Sequence, residues 1–200
     1  MRHLLILLII GIALSGYSQR KSKLVCVMYD EFENEEYLIT KNIFYYEDYG
    51  DKITEGFMLD VFLQRDKGKI IPHTINVDFL NMEDSVCVKE GSTLDVIFEN
   101  GEKITLRNWN DDNCEGLNYF KIGKNEFLFK SSKVKGFRYT NISDGNVIEV
   151  KQNMDEKNKT YIMNLLLEID KINSGKLKLS ECEVDDEGYI TNLYKKNEFK

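Results

Sequence analysis

The stretch TLDVIFENGEKITL, residues 93–106, decides the fold, because an Asn-Gly turn signal separates its two alternating apolar runs. Alternation with a period of two is typical of a half-buried β-strand, and Asn-Gly between two such runs indicates a hairpin. A three-residue loop at positions 99–101 places Val96 opposite Ile104 and gathers the apolar side chains on one face. A one-residue slip would turn every side chain to the other face, so burial selects this register and leaves Asp95 on the opposite face.

Strand signals continue on both sides of this hairpin. Short β-branched and aromatic runs, separated by Gly and Asn, are typical of antiparallel meanders. We predict a mainly β (α+β) fold, an antiparallel β-sandwich or partly closed barrel, with a pleckstrin-like barrel capped by a helix as the alternative. The further predicted strands cover residues 24–29, 42–46, 56–64, 74–81, 117–122, 126–130, 134–139 and 146–150.

One amphipathic helix, at about residues 154–172, follows the strands. Asn153 and Glu156 resemble a capping box, and Gly175 offers a left-handed stop. The apolar residues fall on one helical stripe, which predicts that the helix packs on the sheet. Residues 19–175 then form a single β-rich domain, and the charged residues 176–200 form either a tail or a final strand. The stripe consists of Ile162, Leu165, Leu166, Ile169 and Ile172.

The N-terminus has the three regions of a secretory signal peptide. Basic Arg2 precedes an apolar and glycine run at residues 4–14, and small residues precede Gln19. This pattern predicts a signal peptide at residues 1–18, cleaved after Ser18, and a periplasmic or secreted protein. The apolar run is well short of the roughly 20 residues that a membrane span needs.

The charge of the chain excludes some partners. The 27 basic residues are outnumbered by 34 acidic residues, which gives a net charge of −7. Nucleic acids and anionic membrane surfaces both require a basic face, so neither is an expected partner. The mature chain is expected to have no membrane span.

The four cysteines are best explained as disulfide partners. An even number of cysteines in an exported chain favours disulfides, and no CxxC spacing indicates a redox or zinc motif. Cys87 and Cys114 flank the strands of the opening hairpin, and we predict a bond between them that clamps it. Cys26 and Cys182 either pair with each other or remain thiols.

The remaining polar motifs do not predict chemistry. Removal of the signal peptide leaves His73 as the only histidine, and no neighbouring pattern suggests its activation. Asp111, Asn113 and Glu115 follow the first half of a calcium loop, but its twelfth position is Ile122 instead of glutamate. These three residues are a weak calcium candidate. We predict no catalytic residue and no cofactor.

Aromatic residues give the clearest indication of a binding surface. Most aromatics of a β-rich chain line the core, but those at strand ends or in loops also contact sugars or protein partners. We therefore expect a non-catalytic envelope or secreted module that binds a protein or glycan through loops. A carboxylate-based hydrolase and a calcium-dependent module are the alternatives. The aromatic candidates are Tyr45, Tyr46, Tyr49, Trp109, Tyr119 and Phe120.

Three segments together give the chain a family resemblance. YDEFENEEY (29–37) precedes the TLDVIFENGEKITL hairpin, and VKGFRYTNISDGNVIEV (134–150) leads to the helix. In this order the chain resembles a group of uncharacterised small exported proteins of Bacteroidetes-type bacteria. The resemblance implies a single β-rich domain with a C-terminal helix, located in the periplasm or outside the cell. It implies no activity.

Overall fold

A computed structural model describes residues 20–48, 53–80, 90–110, 117–143, 146–186, 190–191 and 193. The strands are β1 (Lys21–Asp30), β2 (Glu35–Thr40), β3 (Ile43–Asp48), β4 (Ile53–Asp66), β5 (Lys69–Leu80), β6 (Thr93–Phe98), β7 (Lys103–Arg107), β8 (Leu117–Lys121), β9 (Val134–Ser143), β10 (Asn146–Asn153) and β11 (Lys178–Glu181). The helices are α1 (Glu126–Ser131), which follows a 3-10 turn at Gly123–Asn125, and α2 (Tyr161–Asn173).

In the part of the chain that the structure describes, the strands form three sheets. Their strand orders are β10–β9–β6–β7, β3–β4–β5–β8 and β11–β1–β2, and among these strands the β1–β11 pair is parallel whereas the other pairs are antiparallel. Helix α2 packs against β1, β5 and α1. The mainly β fold with a packed C-terminal helix is therefore confirmed. Within the described ranges no sheet closes on itself, so these residues do not form the closed pleckstrin-like barrel of the alternative.

The two four-stranded sheets share one hydrophobic core. Phe120 of β8 contacts Tyr139 of β9 edge to face, with ring centroids 6.2 Å apart. The Tyr139 hydroxyl donates a hydrogen bond of 3.0 Å to Oδ1 of buried Asn118. Burial raises the pKa of Tyr139 to about 12, although its hydrogen bonds with Ser92 and Asn118 act in the opposite direction. The buried pair Tyr139–Asn118 therefore links the two sheets and satisfies the hydrogen-bonding groups of both side chains at this contact.

The predicted register of the opening hairpin is confirmed. Val96 pairs with Ile104, and the three-residue loop closes with a 2.9 Å bond from the Phe98 amide to the Glu102 carbonyl. Gly101 has φ +86°, the left-handed conformation that the turn requires.

One local prediction was wrong, and one strand was missed. Residues 126–130 form α1 instead of a strand, with Phe129 fully buried and Phe127 74% exposed. A Glu126–Lys130 ion pair of 2.6 Å, one helical turn apart, supports the helix. Strand β2 was not predicted, since its sequence EEYLIT begins with two acids that resemble a solvated turn.

Helix α2 begins at Tyr161, later than the predicted start at Met154. Asn153 is the last residue of β10, so it does not cap a helix. The carboxylate of Asp155 accepts a 2.7 Å bond from the Asn158 amide and holds a turn before the helix. Four residues of the predicted apolar stripe are buried and the fifth, Ile172, is half-buried, while Gly175 has φ +71° at the predicted stop.

The C-terminal segment returns to the first strand. Of the two alternatives for residues 176–200, a final strand forms at Lys178–Glu181. Cys26 and Cys182 are joined by a disulfide, with Cα atoms 5.0 Å apart. Cys87 and Cys114 lie outside the described residues, so the bond between them stays a prediction.

None of the helices in the described ranges has both the length and the apolar character required to cross a membrane.

Candidate functional site

An exposed aromatic patch, made of Phe62, His73, Trp109 and Lys121, lies on the face of sheet β3–β4–β5–β8 that points away from the core. The rings of Phe62 and His73 meet edge to face with centroids 6.2 Å apart. The rings of His73 and Trp109 meet in the same way at 5.4 Å. The Nζ of Lys121 lies 3.8 Å from the centroid of the Trp109 ring. The four side chains therefore form one continuous surface.

A β-bulge in β5 positions His73. Leu63 of β4 pairs with Pro72, but the preceding Phe62 pairs with Thr74, so His73 is the extra residue. The bulge explains how the strand tolerates its proline, because the missing N–H falls where the ladder is already interrupted. It also turns His73 toward the outer face beside Phe62.

Trp109 is held at the edge of the sheet by its own backbone. The Trp109 amide donates a 2.9 Å hydrogen bond to the carbonyl of Tyr119 in β8. The preceding Asn108 forms a bridge with Phe120, and its side-chain Oδ1 accepts the Tyr119 amide at 3.2 Å. These bonds fix the backbone of Trp109 beside β8, where its indole ring lies against the Lys121 ammonium. The patch is therefore preformed, which reduces the entropy lost on binding.

The exposure of the patch is suited to binding. Trp109 is 57% exposed and Phe62 is 49% exposed, although both are large apolar rings. Grouped exposed aromatics mark interaction surfaces, whereas single exposed apolar residues need no explanation. The Lys121 ammonium over the indole adds a cation–π contact and a positive charge beside the rings.

The predicted aromatic candidates have different outcomes. Trp109 belongs to the patch, Tyr119 is half-buried and Phe120 is fully buried in the core. Tyr45 and Tyr46 lie in β3, but their side chains and all of Tyr49 are outside the described residues. Phe62 and His73 were missed as binding residues. Phe62 could have been found from the alternation of its strand, because it lies on the outward-facing side between the buried Val61 and Leu63.

A second cluster surrounds Asp95 on the outer face of β6. Its buried carboxylate accepts hydrogen bonds from Thr105 and from the Arg138 guanidinium, and Lys103 Nζ lies 3.0 Å away. Burial alone would raise the pKa of Asp95, but these hydrogen bonds outweigh it and lower the pKa. A carboxylate that stays ionised stabilises the fold through its ion pairs and does not serve as a proton donor.

The described residues do not assign a metal centre. They contain no group of three or more His, Cys, Asp or Glu side chains that is able to hold a metal ion. The weak calcium candidates Asp111, Asn113 and Glu115 lie outside the described residues. The calcium hypothesis therefore stays a prediction.

Comparison of the chain with protein-family models, with curated proteins and with solved structures finds no match. The function therefore has to be inferred from the geometry of the chain itself.

Proposed function

We propose that this chain is an exported, non-catalytic module that binds a protein partner through the aromatic patch. The observation that carries the proposal is the grouping of Phe62, His73 and Trp109 with Lys121 on an exposed sheet face. Tryptophan is enriched among the residues that dominate protein–protein binding energy.

The composition around the patch favours a protein over a glycan. Ile71, on the same strand as His73, is 38% exposed. An apolar aromatic and aliphatic surface with one cation matches the core of a protein interface.

Export is part of the same proposal. The Cys26–Cys182 disulfide supports an oxidising compartment, because such bonds persist in exported proteins and are rare in the reducing cytosol. Cleavage after Ser18, and membership in a group of exported Bacteroidetes-type proteins, agree with this location and stay predictions.

The hydrolase alternative receives less support. Among the described carboxylates, the pKa is shifted for Asp95 and Glu99, and in both cases it is lowered. For Glu99 the main cause is a hydrogen bond from Lys159. A glycoside hydrolase needs a carboxylic acid with a raised pKa as its general acid.

Site-specific photo-crosslinking in the producing cell tests the proposal. A photoreactive phenylalanine analogue replaces Phe62 in one variant and Phe127, an equally suitable exposed position on α1, in a matched control. We expect one discrete protein adduct at position 62, absent at position 127 and reduced when Trp109→Ala is added. Equal labelling at both positions, or an adduct unaffected by Trp109→Ala, would contradict the proposal. An adduct whose added mass is removed by glycosidases would identify a glycan instead.

A further inference from the structure

A cleft of about 620 Å³ opens between the start of β1, helix α2 and the segment around β11. This volume falls within the range of roughly 300–1,000 Å³ that is usual for small-molecule sites. Four basic side chains line the cleft, together with two acids. The basic residues are Arg20, Lys21, Lys23 and Lys171, and the acids are Glu168 and Glu183.

The charge of the cleft is opposite to that of the whole chain. The chain carries a net charge of −7, whereas the lining side chains carry four positive and two negative charges. Within the described part of the chain, none of the four cations is ion-paired with a carboxylate. Elsewhere Lys130 and Lys159 each lie within hydrogen-bond distance of a carboxylate. Basic groups that converge on a cleft focus a positive potential that attracts anions.

Glu168 keeps its negative charge, but the four cations and two acids of the lining still leave an excess of two positive charges. Its Oε2 accepts the hydroxyl of buried Ser22 at 2.6 Å and the amides of Lys23 and Leu24 at 3.2 Å each. The carboxylate therefore ties α2 to the start of β1 and forms part of a fixed floor.

The side of the cleft that β11 forms is also held in place. Strand β11 runs parallel to β1, with Ser180 paired to Cys26, and the Cys182 amide donates a 2.8 Å bond to the Val27 carbonyl. The Cys26–Cys182 disulfide locks this arrangement. A cleft whose walls are already ordered loses little entropy when a ligand enters.

We propose that this cleft binds a small multivalent oxyanion, a ligand that carries at least two negative charges on phosphate or carboxylate groups. The guanidinium of Arg20 matches the planar geometry of two oxyanion oxygens, and the lysines supply further positive charge around it. The chemistry is shared by a free phosphorylated molecule and by a phosphorylated lipid headgroup.

Calorimetric titration with pyrophosphate and with citrate tests the cleft, together with co-sedimentation on phosphatidylcholine vesicles with and without phosphatidic acid. The double variant Arg20→Gln/Lys171→Gln removes two cations from the cleft. The matched control Lys69→Gln/Lys124→Gln removes the same charge from exposed positions outside it. We expect the cleft variant to bind about tenfold more weakly and the control to bind like the wild type.

Two outcomes would support the proposal and identify the source of the anion. Binding of pyrophosphate or citrate indicates a free ligand, and binding only to vesicles with phosphatidic acid indicates a headgroup. Equal loss of affinity in the two double variants would overturn the proposal, since net charge and not the cleft would then be responsible. The absence of binding to every probe at millimolar concentrations would overturn it as well.

Discussion

Asp95 lies on β6 with its carboxylate enclosed by Thr105, Lys103 and Arg138. We expect Asp95→Asn to lower the free energy of unfolding by about 2 kcal/mol near pH 7, because two cations then face each other without the anion. Urea denaturation measures this difference. The control Asp186→Asn, at an exposed position, should leave the unfolding midpoint unchanged.

The same residue predicts a pH dependence. Because the pKa of Asp95 is lower in the folded chain than its ordinary value of 3.8, the unfolded chain binds the proton more readily. The stabilisation is therefore complete above that value and is lost as the pH falls through the folded pKa. The stability difference between wild type and Asp95→Asn should shrink between about pH 5 and about pH 2. A difference that stays constant over this range would show that the carboxylate charge contributes nothing.

Asp95 also shows how far single residues could be predicted. The hairpin register placed it on the outer face, and the structure agrees, because register follows from local alternation. Its burial could not be predicted, since Arg138 comes from β9, far along the chain. His73 was missed for a different reason, because its outward position depends on a register shift between β4 and β5 that the alternation of the sequence does not show.

At the scale of elements, Glu168 connects α2 to the first strand. We expect Glu168→Ala to destabilise the chain by about 1–2 kcal/mol, because the Ser22 hydroxyl and two backbone amides lose their acceptor. Asn164→Ala, at an exposed position of the same helix, is the control for helix propensity. Guanidinium denaturation compares the two variants, and equal midpoints would contradict a connecting role for Glu168.

Elements with a clear apolar periodicity could be predicted from the sequence, and elements without one could not. Strands with clear alternation, such as β4 and β6, were predicted because one face is buried along their length. Helix α2 was predicted from its stripe, but its start was not, because β10 continues to Asn153 and a turn at Asp155 intervenes. The sequence of α1 contains too few apolar residues to distinguish the helical period from the period of a strand. Packing of Phe129 in the core therefore determines its structure.

At the scale of the whole molecule, a disulfide joins the first strand to the segment that follows the last strand. Cys26 and Cys182 are 156 positions apart, so neither spacing nor local pattern predicts their pairing. The pairing depends on β11 returning parallel to β1, which is a long-range event. The aromatic patch is non-local in the same way, since it combines residues of β4, β5 and β8 with Trp109, the second residue after the end of β7.

The disulfide should therefore supply a large part of the stability. Replacing both cysteines with alanine, Cys26→Ala/Cys182→Ala, removes a cross-link over a long loop and should cost about 4–5 kcal/mol on a chain-entropy estimate. Denaturant unfolding measures the loss, and hydrogen exchange should show β11 opening first. Unchanged stability would contradict this role. Any further destabilisation of the double variant by reductant would come from Cys87 and Cys114, which makes the same experiment a test of the predicted hairpin clamp.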